Sequence, residues 1–395
     1  MICLLPHCAY LSETSRMLEI HRALTELGLP VRVATHGGPH ERLLHQAGIQ
    51  YDVLGPGLSP ARAAAFVGSA VGLGDPRQSM YDDAEIRGYV QAETEYFRSH
   101  GITVAVTGFT LTTLLSSRLT GVRLITEHAG SFVPPIFERR PLPSPSRMTA
   151  YCGGFNRVAA SLGIEGIPSL AALLLGDLSL VPEVPEVLGI SAADLAAWTP
   201  AGKKGYRAGS RLTAVGPLFA HLNTPLPERA QKFLDRPGTI VYLAMTSTTP
   251  ELVRAAITEL GTLDVRILVA GTIHDLADLA TDQILIEQVL PSHLVMPQVD
   301  LAITTGGQGS VQTAMASGTP LLSIPLQPEQ DLNAALVERL GAARHLAPAE
   351  LAHLPALTTT MLNTREHALA AERIQKLYAA TDGPAEAARI IAAAA

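Results

Sequence analysis

Short apolar runs alternate along the chain with segments whose apolar residues recur every three or four positions. Ile2–Leu5 reads as a strand, and Leu18, Ala23, Leu24 and Leu27 repeat at helical spacing in a helix from about Thr14 to Leu27 that Gly28 stops. Val31–Thr35 is the next strand, leading into His36-Gly37-Gly38-Pro39-His40, a short helix to Ala47 and a strand at Tyr51–Leu54. Turn residues and small apolar residues leave no clear period between Gly55 and Gln78. Tyr81–His100 then has helical spacing, Thr103–Thr107 is a β-rich run ending at Gly108, and a helix through Thr113–Leu119 precedes a strand at Val122–Thr126. Regular alternation of strand and helix predicts a parallel sheet covered by helices.

The stretch Phe132–Arg147 contains Pro134, Pro135, Pro141, Pro143 and Pro145, which predicts an irregular loop. Helical segments through Val158–Leu175 and a strand at Leu178–Val181 follow. Pro217, Pro225, Pro227 and Pro237, with few apolar anchors among them, mark a domain boundary. Beyond it the alternation restarts, with strands at Ile240–Ala244, Arg266–Ala270, Ile284–Glu287, Leu301–Thr304 and Leu321–Ile324. Helices are expected at Glu251–Leu260, Ser310–Ala316, Leu332–Leu340, Thr364–Ala379 and Ala385–Ala394, and a helix or turn near Ser292–Met296. The 395 residues are too many for one ordinary core. The expected organisation is a first domain over 1–217, a linker over 218–238, a second domain over 239–380, and a terminal helix over 381–395 that packs back on the first.

Composition narrows the function. Hydrophobic residues make up 47% of the chain and charged residues 16%, which fits buried parallel strands and excludes disorder. A net charge of −7 supplies no field for nucleic acid or an anionic membrane, and no basic stripe interleaves with the few aromatic residues, so the expected partners are small molecules. Cys3, Cys8 and Cys152 lack metal-ligand spacing and read as reduced thiols of a cytoplasmic protein. No apolar run reaches the roughly 18 residues that a membrane span needs, so no integral membrane segment is expected. A monomer or homodimer is expected.

The most informative passage follows the strand Leu301–Thr304, where Thr305-Gly306-Gly307-Gln308-Gly309-Ser310 leads directly into a helix. Glycines let the backbone approach a ligand closely, and the first amides of a helix have no internal partner, so such a turn suits an anion. Ser310 suits a capping role and a hydrogen bond to a phosphate oxygen. The alternative is a tight strand-to-helix turn and nothing more. After the next strand, Gln327, Glu329 and Gln330 fall in the neighbouring loop, where hydroxyl-bearing ligands of an open α/β sheet are bound.

On these residues the chain resembles a known family. The segment from Leu290 to Ala342 is similar to the donor-binding signature of GT-B glycosyltransferases related to the UDP-glucuronosyl and macrolide-type enzymes. Val215-Gly216-Pro217 looks like that family's end of the first domain, and the segment from Val241 to Ser247 like its first strand and loop of the second. The resemblance implies a GT-B fold, α/β, with two Rossmann-like doubly wound domains facing across a cleft. It implies inverting, metal-independent transfer of a sugar from a UDP- or dTDP-sugar co-substrate to a small natural-product acceptor, with no prosthetic group. Gly306, Gly307, Gly309 and Ser310 would hold the diphosphate, Glu329 and Gln330 the sugar hydroxyls, and Leu290 and Ser292 the base and ribose, with Ser247 also counted among the donor-binding residues. Asn333 matches the family's Asn in the following helix. Two positions depart from the pattern: Thr305 stands where relatives carry a diphosphate-binding His, and Thr313 where plant-type members place a ribose-binding Glu.

Inversion needs a base for the acceptor hydroxyl. Alignment back from Gly28 puts Glu13 at the register where relatives carry His or Asp, with His7 as the reserve and His128 as a candidate for the acceptor pocket. Ser12-Glu13-Thr14 also fits simple first-turn capping. His36-Gly37-Gly38 imitates an anion loop, but Pro39 removes an amide from it. The chain lacks Gly-x-Ser-x-Gly and has no Gly-x-Gly-x-x-Gly after the first strand, which excludes the serine-hydrolase elbow and the usual nicotinamide fingerprint. A nucleotide-sugar epimerase and a non-catalytic helper of the same fold are the rival readings.

Overall fold

The computed structural model describes residues 1–70, 81–127, 133–137, 145–168, 170–200, 208–218, 224–245, 248–272 and 274–395. The chain divides into two compact units, one formed by residues 1–220 with 382–395 and the other by residues 221–381.

The first unit is built on seven parallel strands: β1 (Ile2–Leu4), β2 (Val31–Thr35), β3 (Asp52–Val53), β4 (Val104–Thr107), β5 (Arg123–Glu127), β6 (Leu178–Val181) and β7 (Arg211–Ala214). Their order is β3-β2-β1-β4-β5-β6-β7. Ile2 pairs with Val31 on one side and Val104 on the other, so β1 is central and its residues are fully buried. The winding direction reverses between β1 and β4, and the loops after these two strands therefore diverge and leave room for a ligand.

The second unit repeats the plan with β8 (Ile240–Ala244), β9 (Arg266–Ala270), β10 (Ile284–Glu287), β11 (Leu301–Thr304), β12 (Leu321–Ser323) and β13 (Ala343–His345), in the order β10-β9-β8-β11-β12-β13. Here the reversal lies between β8 and β11, which puts the glycine loop after β11 at the corresponding place. The near-continuous apolar strands Ile240–Leu243 and Leu301–Ile303 are buried, as a sheet sandwiched by helices requires.

The last helix, Gly383–Ala394, belongs to the first unit and packs on the first helix, Leu11–Glu26. Ala387, Ala388 and Ile391 join Met17, Ile20 and Leu24 in one core. A Cβ on Gly383 would lie 2.1 Å from the carbonyl oxygen of Pro217, so only glycine lets the terminal helix start there.

Some elements differ from the expectations. β7 and β13 are edge strands carrying Arg211, Arg344 and His345, too short and too polar to show an apolar period. The helix Leu354–Asn363 has no counterpart among the expected elements, and the segment expected as a linker contains the helix Glu228–Leu234. In the proline-rich stretch, Pro134–Phe137 and Pro145–Ser161 are helical, because proline is tolerated in a first turn whose amides need no internal partner. Helices also start earlier than their apolar residues suggest, at Leu11, Gln308 and Pro328, since their first turns are made largely of polar residues, glycine and proline that show no apolar period. Among the described residues no helix is long and apolar enough to cross a membrane.

Candidate functional site

In the second unit, β11 ends at Thr304 and the chain turns through Thr305 and Gly306 into the helix Gln308–Ser317, whose N-cap is Gly307. The expected cap, Ser310, instead lies in the first turn, and no side chain caps this helix. Two kinds of glycine make the turn. Gly306 has φ +83°, and a Cβ there would fall 2.4 Å from Ser323 Oγ and 2.8 Å from the Gln330 carbonyl oxygen. Packing and backbone conformation both demand glycine at that point. Gly307 and Gly309 are different, because a Cβ on either would meet nothing within 4 Å. The protein's own packing gives no reason for these two, and they leave an open flank beside the helix start.

The next helix, Pro328–Glu338, is tied to this turn, and its first turn carries Glu329 and Gln330, which the sequence placed in a loop. The Gln330 side-chain amide donates to Thr305 Oγ1 at 3.3 Å, and its carbonyl accepts from the Leu326 amide at 2.8 Å. Asn333 donates to the Gly306 carbonyl at 3.2 Å and to the Glu329 carboxylate. The loops after β11 and β12 are thereby joined, with Thr305, Glu329, Gln330 and the open glycines together. Thr313 faces its own helix and donates to the Gly309 carbonyl at 2.7 Å. Ser292 hydrogen-bonds with Tyr242 at 2.9 Å, and burial pushes that phenol up to about 12, so it stays a neutral partner. Leu290 is buried at the end of the same segment. Ser247 and His128 lie outside the described residues.

In the first unit Glu13 lies in the first turn of the helix Leu11–Glu26 and is 2% exposed. Its Oε2 accepts from the His7 amide at 2.7 Å, and its Oε1 from the amides of Gly108 at 3.0 Å and Phe109 at 3.3 Å. One carboxylate thus binds the loops after β1 and β4 where the sheet reverses. Gly108 has no room for a side chain, since a Cβ would sit 2.6 Å from Glu13 Cγ and 3.1 Å from Glu127 Oε2. Arg16 pairs with Glu127 at 2.7 Å. Burial pushes the Glu13 carboxyl up to about 7, the Arg16 guanidinium opposes that rise, and Glu127 adds to it.

His7 and His36 line a cavity with Tyr81, Tyr89, Thr110 and Thr112. His7 is packed among the rings of Tyr10, Phe66 and Phe109. Burial, with His36 nearby, pushes its imidazole down to about 3. In the sequence His36 reads only as part of a loop that imitates an anion site, and the aromatic lining carries no signal of its own. The available signal was the placement of His36 at the end of a strand next to the sheet reversal. Among the described residues no cluster of three or more His, Cys, Asp or Glu residues is arranged to hold a metal ion.

The chain is similar to known proteins in part of its sequence and in its fold. Residues 254–394 match the family described as the erythromycin biosynthesis protein CIII-like C-terminal domain. The chain is 32% identical over 108 residues to 4'-demethylrebeccamycin synthase of Lentzea aerocolonigenes, a match that covers 27% of this chain and 26% of that protein. That match thus spans about a quarter of the curated relative's length. Among solved structures, the glycosyltransferase VinC in complex with dTDP superposes with a TM-score of 0.70 at 16% identity, over 100% of this chain and 99% of that one. The glycosyltransferase SnogD from Streptomyces nogalater gives a TM-score of 0.69 at 19% identity, over 100% of both chains. The fold is that of the GT-B glycosyltransferases. Residues 254–394, most of the second unit together with the terminal helix, carry the match to the erythromycin CIII-like domain.

Proposed function

We propose that this protein transfers a sugar from a nucleoside diphosphate sugar to a hydroxyl of a small natural-product acceptor, with inversion and with the donor held by the second unit. The observation that carries the reading is the open flank at Gly307 and Gly309, at the start of an uncapped helix and beside the joined loops of Thr305 and Gln330. The first amides and the positive end of the helix suit a diphosphate, and they would stabilise its charge as it departs. Thr305 and Ser310 offer hydroxyl donors to the phosphates, Glu329 and Gln330 face the sugar, and Leu290 and Ser292 the nucleoside.

In this reading Glu13 is the clamp that sets the loops after β1 and β4, because both of its oxygens are engaged by the protein's own amides. The acceptor hydroxyl then meets the cavity that His7 and His36 line. The solved glycosyltransferase VinC, a neighbour in fold that holds dTDP, supports the donor class.

The test is a thermal-shift screen of UDP- and dTDP-sugars, followed by mass spectrometry of products formed with a panel of hydroxylated acceptors. Stabilisation by a nucleotide sugar and an acceptor-dependent mass gain of one sugar are expected. Conversion of the donor sugar without acceptor would replace the assignment by an epimerase, and absence of any nucleotide-sugar binding would replace it by a non-catalytic helper.

A further inference from the structure

A carboxylate and an imidazole form a buried pair in the first unit that neither the glycine loop nor Glu13 accounts for. Glu93, on the helix Asp83–Ser99, is fully buried. Its Oε1 accepts the Thr112 hydroxyl at 2.5 Å and lies 3.2 Å from His36 Nε2, and its Oε2 accepts the Ser116 hydroxyl. Two hydroxyls from the segment after β4 therefore fix the carboxylate against the ring. An ionised carboxylate only accepts, so the proton of neutral His36 belongs on Nε2 and the lone pair on Nδ1. That Nδ1 is buried without a hydrogen-bond partner among the described residues. The ring stands edge-on to Tyr89 with centroids 4.1 Å apart, and it lines the cavity.

An orphaned acceptor nitrogen beside a cavity, on a ring oriented by a buried carboxylate, is the arrangement a general base needs. We propose that His36, oriented by Glu93, takes the proton of the attacking acceptor hydroxyl. The inference rests on the transferase reading and deepens it. As the hydroxyl oxygen forms its bond to the anomeric carbon, the bond from that carbon to the diphosphate oxygen breaks and its electron pair leaves with the diphosphate. The hydroxyl proton passes to His36 Nδ1, and the Glu93 carboxylate balances the imidazolium. His7 lines the same cavity without such a counter-charge, among aromatic rings, and serves as a wall of the acceptor site. Glu93 is a positioning residue. The titratable groups around His36 are Glu93 and Tyr89 from the helix Asp83–Ser99, Tyr81 ahead of it, His7 after β1, and Glu41, which accepts the Gly38 amide at 3.1 Å. Tyr81 and Tyr89 are both held above the usual phenol range by burial and stay neutral.

The experiment is steady-state kinetics on the full chain, using the nucleotide sugar and acceptor identified in the screen. His36→Gln is expected to lower kcat by roughly 10²- to 10⁴-fold with donor KM nearly unchanged. Glu93→Gln is expected to lower kcat by a smaller factor and move the acid limb of its pH profile to lower pH, because the lost carboxylate no longer favours the imidazolium. His7→Gln is expected to leave that limb in place. Turnover of His36→Gln within about twofold of wild type overturns the assignment of His36 while the transferase reading stands. Failure of the wild type to transfer any sugar overturns both. Should His36→Gln melt early, nitrogen-15 NMR of the wild type decides. A neutral His36 protonated on Nε2 is expected, and one protonated on Nδ1 overturns the proposal.

Discussion

Gly108 donates its backbone N–H to Glu13 at 3.0 Å across 95 positions of sequence, joining the loop after β4 to the first turn of the first helix. Two more amides, those of His7 and Phe109, end on the same carboxylate. Replacing Glu13 by Ala strips all three of their acceptor. A loss of about 1–3 kcal/mol is expected for each buried donor that no water reaches. The denaturant midpoint checks this, and an unchanged midpoint would mean that the clamp contributes nothing.

The same carboxyl predicts a pH dependence. Its folded value near 7 lies above the ordinary 4.5, so the folded state holds a proton that the unfolded state gives up between those limits. Its contribution to stability is therefore fully present below about 4.5 and falls as pH rises to about 7. Glu13→Gln removes this slope. The melting temperature of the variant relative to wild type should rise across that window and level off above it. His7 contributes with the opposite sign, since its folded value near 3 lies below 6.5 and stability is lost as pH falls between the two. A wild-type and Glu13→Gln pair with parallel pH profiles would contradict the buried, proton-holding carboxyl.

The two classes of glycine in the turn after β11 should separate stability from ligand binding. Gly309→Ala adds a methyl in open space within a helix, so unchanged or improved stability is expected, by up to about 1 kcal/mol. Calorimetric titration should meanwhile show weaker nucleoside diphosphate binding. Equal affinity in variant and wild type would place the diphosphate elsewhere.

Gly306→Ala is the contrasting case. Its φ of +83° and the nearby Ser323 Oγ and Gln330 carbonyl oxygen leave no place for a methyl. A destabilisation of about 1–2 kcal/mol from the backbone conformation alone is expected, before any steric cost. Thermal unfolding measures it, and a wild-type melting temperature would contradict the tight turn.

The sheets were largely legible because a strand covered on both faces has to be apolar throughout, as in Ile240–Leu243 and Leu301–Ile303. β7 and β13 escaped because an edge strand has one open side and tolerates Arg211, Arg344 and His345. The glycine turn was legible as a turn, and its spacing carried the resemblance. What the spacing does not reveal is which glycine the fold itself requires: Gly306 is fixed by Ser323 and Gln330, which stand 17 and 24 positions later. Register singles out Glu13 as a candidate base, but its partners at Gly108 and Phe109 meet it only through the pairing of β1 with β4. His36 and Glu93 are 57 positions apart and share no local motif, so only the folded chain brings them together.

The helix Gly383–Ala394 supplies Ala387, Ala388 and Ile391 to the core that β1 and the helix Leu11–Glu26 begin. The core of the first unit is thus completed by residues that lie in sequence beyond the whole of the second. A cut in the chain between residues 381 and 382 would take apolar cover from the first unit and leave every strand of the second in place.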